Sequence, residues 1–192
     1  MFWLLLIAAL MLGCQAEPAM DEDCELHASN TMHDFCCDLH DENPHFMECQ
    51  IEWHEKIHYI NEEQELENIF CTAECTMNST EYLAANRQSL NHNKVRAHLE
   101  MELADEADEK LLYETYVKCD KHALELLTHK GVQALAKRLE AHGCHVYPGL
   151  VMECVSNEMT LNCPPKRFHN DAACTTNRDY LKKCMHFLKY KA

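Results

Sequence analysis

Cysteine content constrains the fold of this chain more than any other feature, with 13 cysteines among 192 residues. The first cysteine lies in an N-terminal stretch that is apolar from Phe2 to Leu12 and then turns to small residues before Ala16. This pattern predicts a signal peptide over residues 1–16 that is removed by cleavage after Ala16, although no Lys or Arg precedes the apolar run. The run is short for a membrane span, and a retained anchor is the alternative.

Removal of the signal peptide takes Cys14 away and leaves 12 cysteines, an even number. In an oxidising compartment this count predicts up to six disulfides and no free thiol. Structural zinc in an intracellular protein is the alternative, but the chain contains no C-x2-C pair, the spacing that such sites favour. We therefore expect a secreted, extracellular protein without a membrane anchor and without a cofactor.

Net charge narrows the set of expected partners. The mature chain would keep the whole charge of −15, because the signal segment contains no charged residue. Nucleic acids and anionic membranes would repel such a protein, so neither is an expected partner. The 14 histidines would move the charge from −15 to −1 if every one gained a proton. Mildly acidic pH should therefore change the electrostatics, unless most of these histidines are solvated surface residues.

Helical periodicity recurs along the chain, whereas alternating, strand-like segments are absent. The clearest helical windows are Phe46–Ile60, Leu66–Cys75, Val95–Leu103, Leu111–Cys119, Leu124–Leu139 with a break near Gly131, Val151–Leu161 and Tyr180–Leu188. We predict an all-α fold in which residues 17–192 form a single compact domain of about seven or eight short helices. Short helices have little stability of their own. Disulfides, worth roughly 2–4 kcal/mol each, are expected to cross-brace them.

The stretch FCCDLHDENP, residues 35–44, looks like the catalytic helix of secreted calcium-dependent phospholipases, with His40 and Asp41 as the catalytic pair. That helix normally carries another cysteine three residues after the histidine, where this chain has Asn43. The calcium ion needs a glycine-rich loop upstream, and no glycine occurs between positions 14 and 130. We expect no phospholipase activity and interpret the two adjacent cysteines as the ends of disulfides.

The segment His54-Glu55-Lys56-Ile57-His58 matches the H-E-x-x-H signature of zinc proteases. On a helix its two histidines would lie one turn apart, as zinc ligation requires. A third ligand at a known spacing is missing, because the corresponding positions hold Asn61 and Gln64. We therefore expect no metal site and no catalytic residue here, and we expect both histidines to border the core.

Cysteine spacing carries a more specific signal. From Cys71 onward, the numbers of residues between successive cysteines are three, 43, 24, nine, eight, ten and nine, and Pro164 directly follows the eight-residue spacing. These spacings resemble those of the insect odorant-binding proteins, specifically the cysteine-rich Plus-C class. That class has a C-x3-C pair, a C-x8-C pair followed by proline, and extra cysteines near the C-terminus. The resemblance covers nearly all of the mature chain.

The resemblance also implies a pairing of cysteines. Because Cys71 and Cys75 lie one helical turn apart, one helix could be tied to two neighbours. The family's interlocked scheme implies the bridges Cys49–Cys75, Cys71–Cys154 and Cys119–Cys163, with Cys37 as the alternative to Cys49. The cysteines left for further bridges, which admit 15 pairings, are Cys24, Cys36, Cys37, Cys144, Cys174 and Cys184. These should staple the terminal extensions.

Odorant-binding proteins are non-catalytic carriers of small apolar molecules in sensory lymph, so the resemblance implies a small hydrophobic ligand held in an apolar cavity. The candidate lining residues are Leu99, Leu103, Leu112, Tyr116, Leu127, Leu135, Leu139, Val151 and Met152. A hydroxyl of Tyr113 or Tyr116 could orient the polar end of a ligand. The alternative is an interaction or structural protein of the same fold with a closed pocket. Further expected partners are a sensory receptor or a second copy of the chain.

The sequence also predicts a possible glycosylation site and a pH dependence of ligand binding. The sequon Asn78-Ser79-Thr80 permits N-glycosylation at a surface turn, and the unglycosylated state is equally compatible with the sequence. Ligand affinity should fall as the pH drops from about 7 to about 5, where ordinary histidines gain a proton. The first candidates for this effect are His142 and His145, and the second are His122 and His129.

Overall fold

The computed structural model describes residues 36–39 and 45–191, with side chains described as far as Cys184. Within those residues the chain forms seven α-helices, which confirms the predicted all-α fold. They are α1 (Phe46–Lys56), α2 (Glu62–Ser79), α3 (His92–Glu102), α4 (Glu106–Leu126), α5 (Lys130–Glu140), α6 (Val146–Asn162) and α7 (Ala172–Lys191). The predicted signal peptide, Cys24, His40 and Asp41 lie outside the described residues. None of the described helices is both long and apolar enough to cross a lipid bilayer.

Polar side chains fix the starts of three helices. Asn61, Asn91 and Asp105 stand at the N-caps of α2, α3 and α4, and each accepts a backbone N–H of the first turn. Such caps satisfy donors that no helical carbonyl can reach. Acidic residues follow in the first turns of α2 and α4, where the helix dipole favours negative charge.

Helix α6 is the centre of the molecule and packs against α2, α4, α5 and α7. Most of its residues are buried, as expected for a helix that is apolar on all sides. Gly149 lets α2 approach closely, because a Cβ at that position would lie 2.1 Å from Cδ1 of Phe70. The main core therefore lies around α6, between α2 and α4.

Five disulfides join pairs of described cysteines: Cys36–Cys174, Cys37–Cys163, Cys49–Cys75, Cys71–Cys144 and Cys119–Cys154. The bridge between α1 and α2, Cys49–Cys75, is the one that the resemblance implied. Cys184 is disulfide-bonded as well.

Two implied pairings, Cys71–Cys154 and Cys119–Cys163, are wrong. Cys71 reaches Cys144, two residues before α6, and Cys119 of α4 reaches Cys154 in the middle of α6. Cys163 lies nine residues further along the chain, roughly 13 Å along the helix axis, and is out of reach of Cys119. The interlocked order is thus retained but starts one cysteine earlier along α6.

The remaining two bridges attach residues 36–39 to the end of α6 at Cys163 and to the first turn of α7 at Cys174. Asp38 donates its backbone N–H to the carbonyl oxygen of Arg167 at 2.8 Å, and His169 donates to that of Cys36 at 3.0 Å. Cys36, Phe168 and Cys174 form a small second core there. The extra cysteines therefore staple the segment that precedes α1 to the C-terminal part of the chain.

Candidate functional site

The structure brings all nine predicted lining residues into one apolar cluster. Five of them are at most 3% exposed: Leu99, Leu112, Tyr116, Leu139 and Val151. The other four, Leu103, Leu127, Leu135 and Met152, are partly buried and pack against the same cluster. Helices α3 to α6 contribute these side chains, so the candidate site is the interior of the helical shell.

The two tyrosines that were expected to orient a ligand lie in different surroundings. Tyr116 is buried, and its ring meets that of Tyr82 edge to face at 5.6 Å. Tyr113 is half-buried, and the guanidinium of Arg96 lies over its ring at 4.3 Å. Tyr116 is therefore the one that faces the interior.

A buried hydrogen-bond network joins α3, α4 and α6 beside this interior. Asp120 of α4 accepts a hydrogen bond from the Tyr147 hydroxyl at 2.6 Å, and its other oxygen lies 2.8 Å from Nε2 of His92. Burial, followed by the hydrogen bond and negative charge of Asp120, raises the pKa of Tyr147, so the phenol stays protonated and donates. This network is not visible in the sequence, because its members lie 27 or 28 positions apart in the chain.

The end of α5 and its connection to α6, residues 138–145, are held on one face of α2 through three of its residues, Glu67, Cys71 and Glu74. We call this set of contacts the clasp. Glu67 of α2 accepts from Arg138 Nε at 2.9 Å and pairs with His142 Nε2 at 3.1 Å. One turn on, Cys71 is bridged to Cys144.

The third contact of the clasp is made by Glu74. One oxygen lies 2.9 Å from Nδ1 of His145, and the other accepts the backbone N–H of the same residue at 2.5 Å. Gly143, with φ of 78°, adopts the left-handed conformation that turns the chain after α5 and so positions Cys144. Glu67 and Glu74 are both buried, so the clasp satisfies two carboxylates that would otherwise be costly to bury.

The predicted pH-sensitive histidines fall into two groups. His142 and His145 belong to the clasp and contact glutamates of α2, as described above. His122 on α4 and His129 at the N-cap of α5 are half-buried. The first pair therefore lies in the contacts that hold the α5–α6 connection on α2.

The H-E-x-x-H segment does not form one helical turn. Helix α1 ends at Lys56, so His58 lies beyond the helix that carries His54. Both histidines are exposed, and the expectation that they border the core is wrong. Among the described residues, no group of three or more His, Cys, Asp or Glu side chains could hold a metal ion.

Asn78 of the sequon is exposed in the last turn of α2, within the helix and not in a turn beyond it. A surface cleft of about 370 Å³ opens beside it, between the end of α2 and α3. Seven polar or charged residues line it together with Ala97 and Met101: His45, Ser79, Thr80, Glu81, Lys94, His98 and Glu102. None of the nine apolar candidates lines this cleft, so it is distinct from the interior site.

Comparison with known proteins gives one result. Residues 40–180 match the sequence model of a family described as AgamOBP47-like. The match covers well over half of the chain and includes helices α1 to α6. Neither the curated proteins nor the solved structures gave a match.

Proposed function

The chain belongs to the AgamOBP47-like family of insect odorant-binding proteins, and on this basis we propose that it is a secreted carrier of small hydrophobic molecules. The family match over residues 40–180 is the observation that carries the proposal. The ligand would lie among the nine apolar residues of the interior, and the clasp and the disulfides would keep the surrounding helices in place. A braced shell of this kind can hold an apolar cavity without collapsing onto it.

Displacement of a fluorescent apolar probe tests this proposal directly. We expect the purified protein, with its disulfides intact, to bind N-phenyl-1-naphthylamine and to release it when aliphatic odorant-like molecules are added. A protein that binds neither the probe nor the competitors would contradict the carrier function. The second candidate function is an interaction protein of the same fold with a closed pocket. The tight packing of Leu99, Leu139 and Val151 favours this alternative. Sedimentation of the pure protein would then test binding to a second copy.

We propose that the protein is not an enzyme. His54 and His58 are exposed and do not share a helix, so they lack the geometry of a protease zinc site. We expect no hydrolysis of esters or peptides by protein purified without added metal. Stoichiometric zinc, together with hydrolysis that Glu55→Gln abolishes, would contradict this proposal.

We also propose that the mature protein starts near Glu17 and has no free thiol. Ten of the eleven described cysteines are paired with one another, and Cys184 is disulfide-bonded too. Once Cys14 is removed, Cys24 is the partner that remains for Cys184. Intact mass with and without alkylation, followed by peptide mapping without reduction, should give no alkylated cysteine and one Cys24–Cys184 peptide. Alkylation of either cysteine would contradict this pairing.

Ligand affinity is proposed to fall as the pH drops from about 7 to about 5, the range in which ordinary histidines charge. A ligand that prefers the neutral-histidine form must lose affinity when the histidine gains a proton. A proton on His142 or His145 adds attraction to a neighbouring glutamate and tightens the clasp. We therefore expect His122 or His129 to carry the loss.

Probe titrations at several pH values and constant ionic strength test this assignment. His122→Gln or His129→Gln should flatten the pH dependence, whereas His142→Gln and His145→Gln should steepen it. Affinity that is independent of pH in the unmodified protein would refute pH-dependent release. An unchanged slope in all four variants would refute only the choice of residues.

A further inference from the structure

Buried polar groups without a partner are concentrated in the α1–α2 hairpin. In the part of the chain that the structure describes, six buried side-chain nitrogen or oxygen atoms lack a hydrogen-bond partner, and four of them belong to these two helices. They are Trp53 Nε1, Asn68 Nδ2, Thr72 Oγ1 and Thr76 Oγ1. Buried polar atoms are normally paired, so an unpaired one calls for an explanation, such as an ordered water or a bound molecule.

Three of these residues form a column along one side of α2. Asn68, Thr72 and Thr76 are spaced by four residues, so they lie one above the other on the helix. Together they span roughly 12 Å along the axis. Their exposed fractions are 6%, 5% and 1%, so each is more than nine-tenths buried. We call these three residues the column.

Trp53 joins the column through the geometry of the hairpin. The bridge Cys49–Cys75 fixes the register of the antiparallel helices α1 and α2. Trp53 lies one turn from Cys49 towards the hairpin connection, which places it level with the part of α2 between Asn68 and Thr76. Trp53 therefore lies level with the column, and it also packs against the apolar cluster that contains the nine candidate lining residues.

Other helical threonines in this protein behave differently. Thr115 and Thr160 within helices, and Thr80 at the C-cap of α2, each donate their hydroxyl to the backbone carbonyl four residues earlier, at 2.8–3.1 Å. This bond is the usual way for a helical threonine to satisfy its hydroxyl. The hydroxyls of Thr72 and Thr76 do not form this bond to the backbone carbonyl of the preceding turn. Their hydroxyls are therefore left available to another group.

We propose that the column is the polar wall of the ligand site and that it recognises a neutral carbonyl oxygen, as in an aliphatic ketone, aldehyde or ester. All four unpartnered groups can donate a hydrogen bond, and the indole N–H can only donate, so the complementary group is an acceptor. A carboxylate would bring a charge into a buried place without a counter-charge on the column. The proposal rests on the carrier function and specifies the chemistry of its ligand.

Competition between two ligands of the same shape tests the column. An aliphatic methyl ketone and the alkane of the same chain length would each displace N-phenyl-1-naphthylamine from the full, disulfide-bonded protein. We expect the unmodified protein to prefer the ketone. In the double variant Thr72→Val, Thr76→Val this preference should fall about fivefold, because one hydrogen bond of ordinary net strength is lost. The affinity for the alkane should change less than twofold.

Two matched variants serve as controls. The double variant Thr115→Val, Thr160→Val removes hydroxyls that are already bonded to backbone carbonyls and should keep the preference for the ketone. The double variant Thr72→Ser, Thr76→Ser keeps the hydroxyls and should keep the preference as well. If both ligands bind and the valine variant of the column discriminates as the unmodified protein does, the column is not the recognition element. If neither ligand displaces the probe, the carrier function itself is refuted, and the column proposal with it.

Discussion

Helix α2 buries polar side chains on two sides, and the two sides differ in whether those side chains have hydrogen-bond partners. On the clasp side, Glu67 and Glu74 have charged or polar partners, and Cys71 between them is covalently bonded. On the column side, roughly 140° around the axis, the hydroxyls of Thr72 and Thr76 have no hydrogen-bond partner among the described residues. Both sides are buried to a similar degree.

The difference indicates that the two sides of α2 have different roles. Burying a polar group is unfavourable unless a hydrogen bond or a counter-charge compensates for it. The clasp compensates within the chain and thereby fixes the α5–α6 connection on α2, which stabilises the shell. The column leaves its donors for a bound molecule, as proposed above. Stability and recognition would then be separable by mutation on one helix.

The largest loss of stability is expected when the disulfide of the clasp, Cys71–Cys144, is removed. Cys71 and Cys144 enclose a long loop, with a sequence separation of 73 residues. The double variant Cys71→Ala, Cys144→Ala should lower the free energy of unfolding by about 2–5 kcal/mol, because the unfolded chain regains the entropy of that loop. Guanidinium unfolding of the pure protein measures it. A loss below about 1 kcal/mol would show that the clasp does not depend on its bridge.

The next largest loss of stability is expected when the close packing of α2 on α6 is disturbed. Gly149→Ala would place a methyl group against the ring of Phe70, 2.1 Å from Cδ1. We expect a loss of about 1–3 kcal/mol from overpacking, measured by the same unfolding experiment. Adding Phe70→Leu should recover part of this loss, since the smaller side chain leaves room for the methyl group. No recovery in the double variant would contradict a local clash as the cause.

Removal of a charge from the clasp should lower stability by a smaller amount. Arg138 contacts two glutamates, the buried Glu67 at 2.9 Å and the exposed Glu63 at 3.7 Å. Glu67→Gln should cost about 1–2 kcal/mol, because a buried hydrogen bond between charged groups is weakened. Glu63→Gln is the matched control and should change stability by less than about 0.5 kcal/mol, as exposed ion pairs do. Equal effects of the two variants would contradict the importance of burial.

The smallest expected effect has the opposite sign and lies on the column side. In ligand-free protein, Thr72→Val replaces an unpartnered hydroxyl by a methyl group of similar size, so stability should stay constant or rise by up to about 1 kcal/mol. Thr115→Val removes a hydroxyl that donates to the carbonyl of Leu111 at 2.8 Å, and stability should fall by about 1 kcal/mol. Thermal unfolding of both variants compares them. A clear loss in Thr72→Val would mean that its hydroxyl already has a partner.

Much of the helical architecture was predictable, because apolar spacing and caps are local signals. The window Val95–Leu103 falls almost wholly within α3, for example, which begins at His92 after its Asn91 cap. The first window extended to Ile60, whereas α1 ends at Lys56. The chain has to leave the helix there, because the Asn61 cap starts α2.

Disulfide pairing was only partly predictable. Spacing along the chain singles out the segment with Cys154 and Cys163, but it does not say which of them faces α4. That choice depends on the position of α6 relative to α2 and α4, which is a tertiary property. Cys144 lies beside Cys71 because Gly143 turns the chain between α5 and α6.

The two components of the candidate site differ in the same way. Apolar candidates such as Leu112 and Val151 follow from helical periodicity and share one cluster. The contact between Tyr147 and Asp120 joins residues that are 27 positions apart, so it requires the fold. The spacing of Asn68, Thr72 and Thr76 is visible in the sequence, but their lack of partners emerges only when the surrounding side chains are in place.

The central claim is that a ligand lies in the helical interior with its polar end on the column. A crystal structure of the protein with an aliphatic methyl ketone bound tests it most directly. We predict electron density for the ketone among the nine apolar residues, with its oxygen within about 3 Å of Thr72 Oγ1 or Thr76 Oγ1. An interior filled only by side chains, or a ketone oxygen that contacts neither hydroxyl, would contradict it.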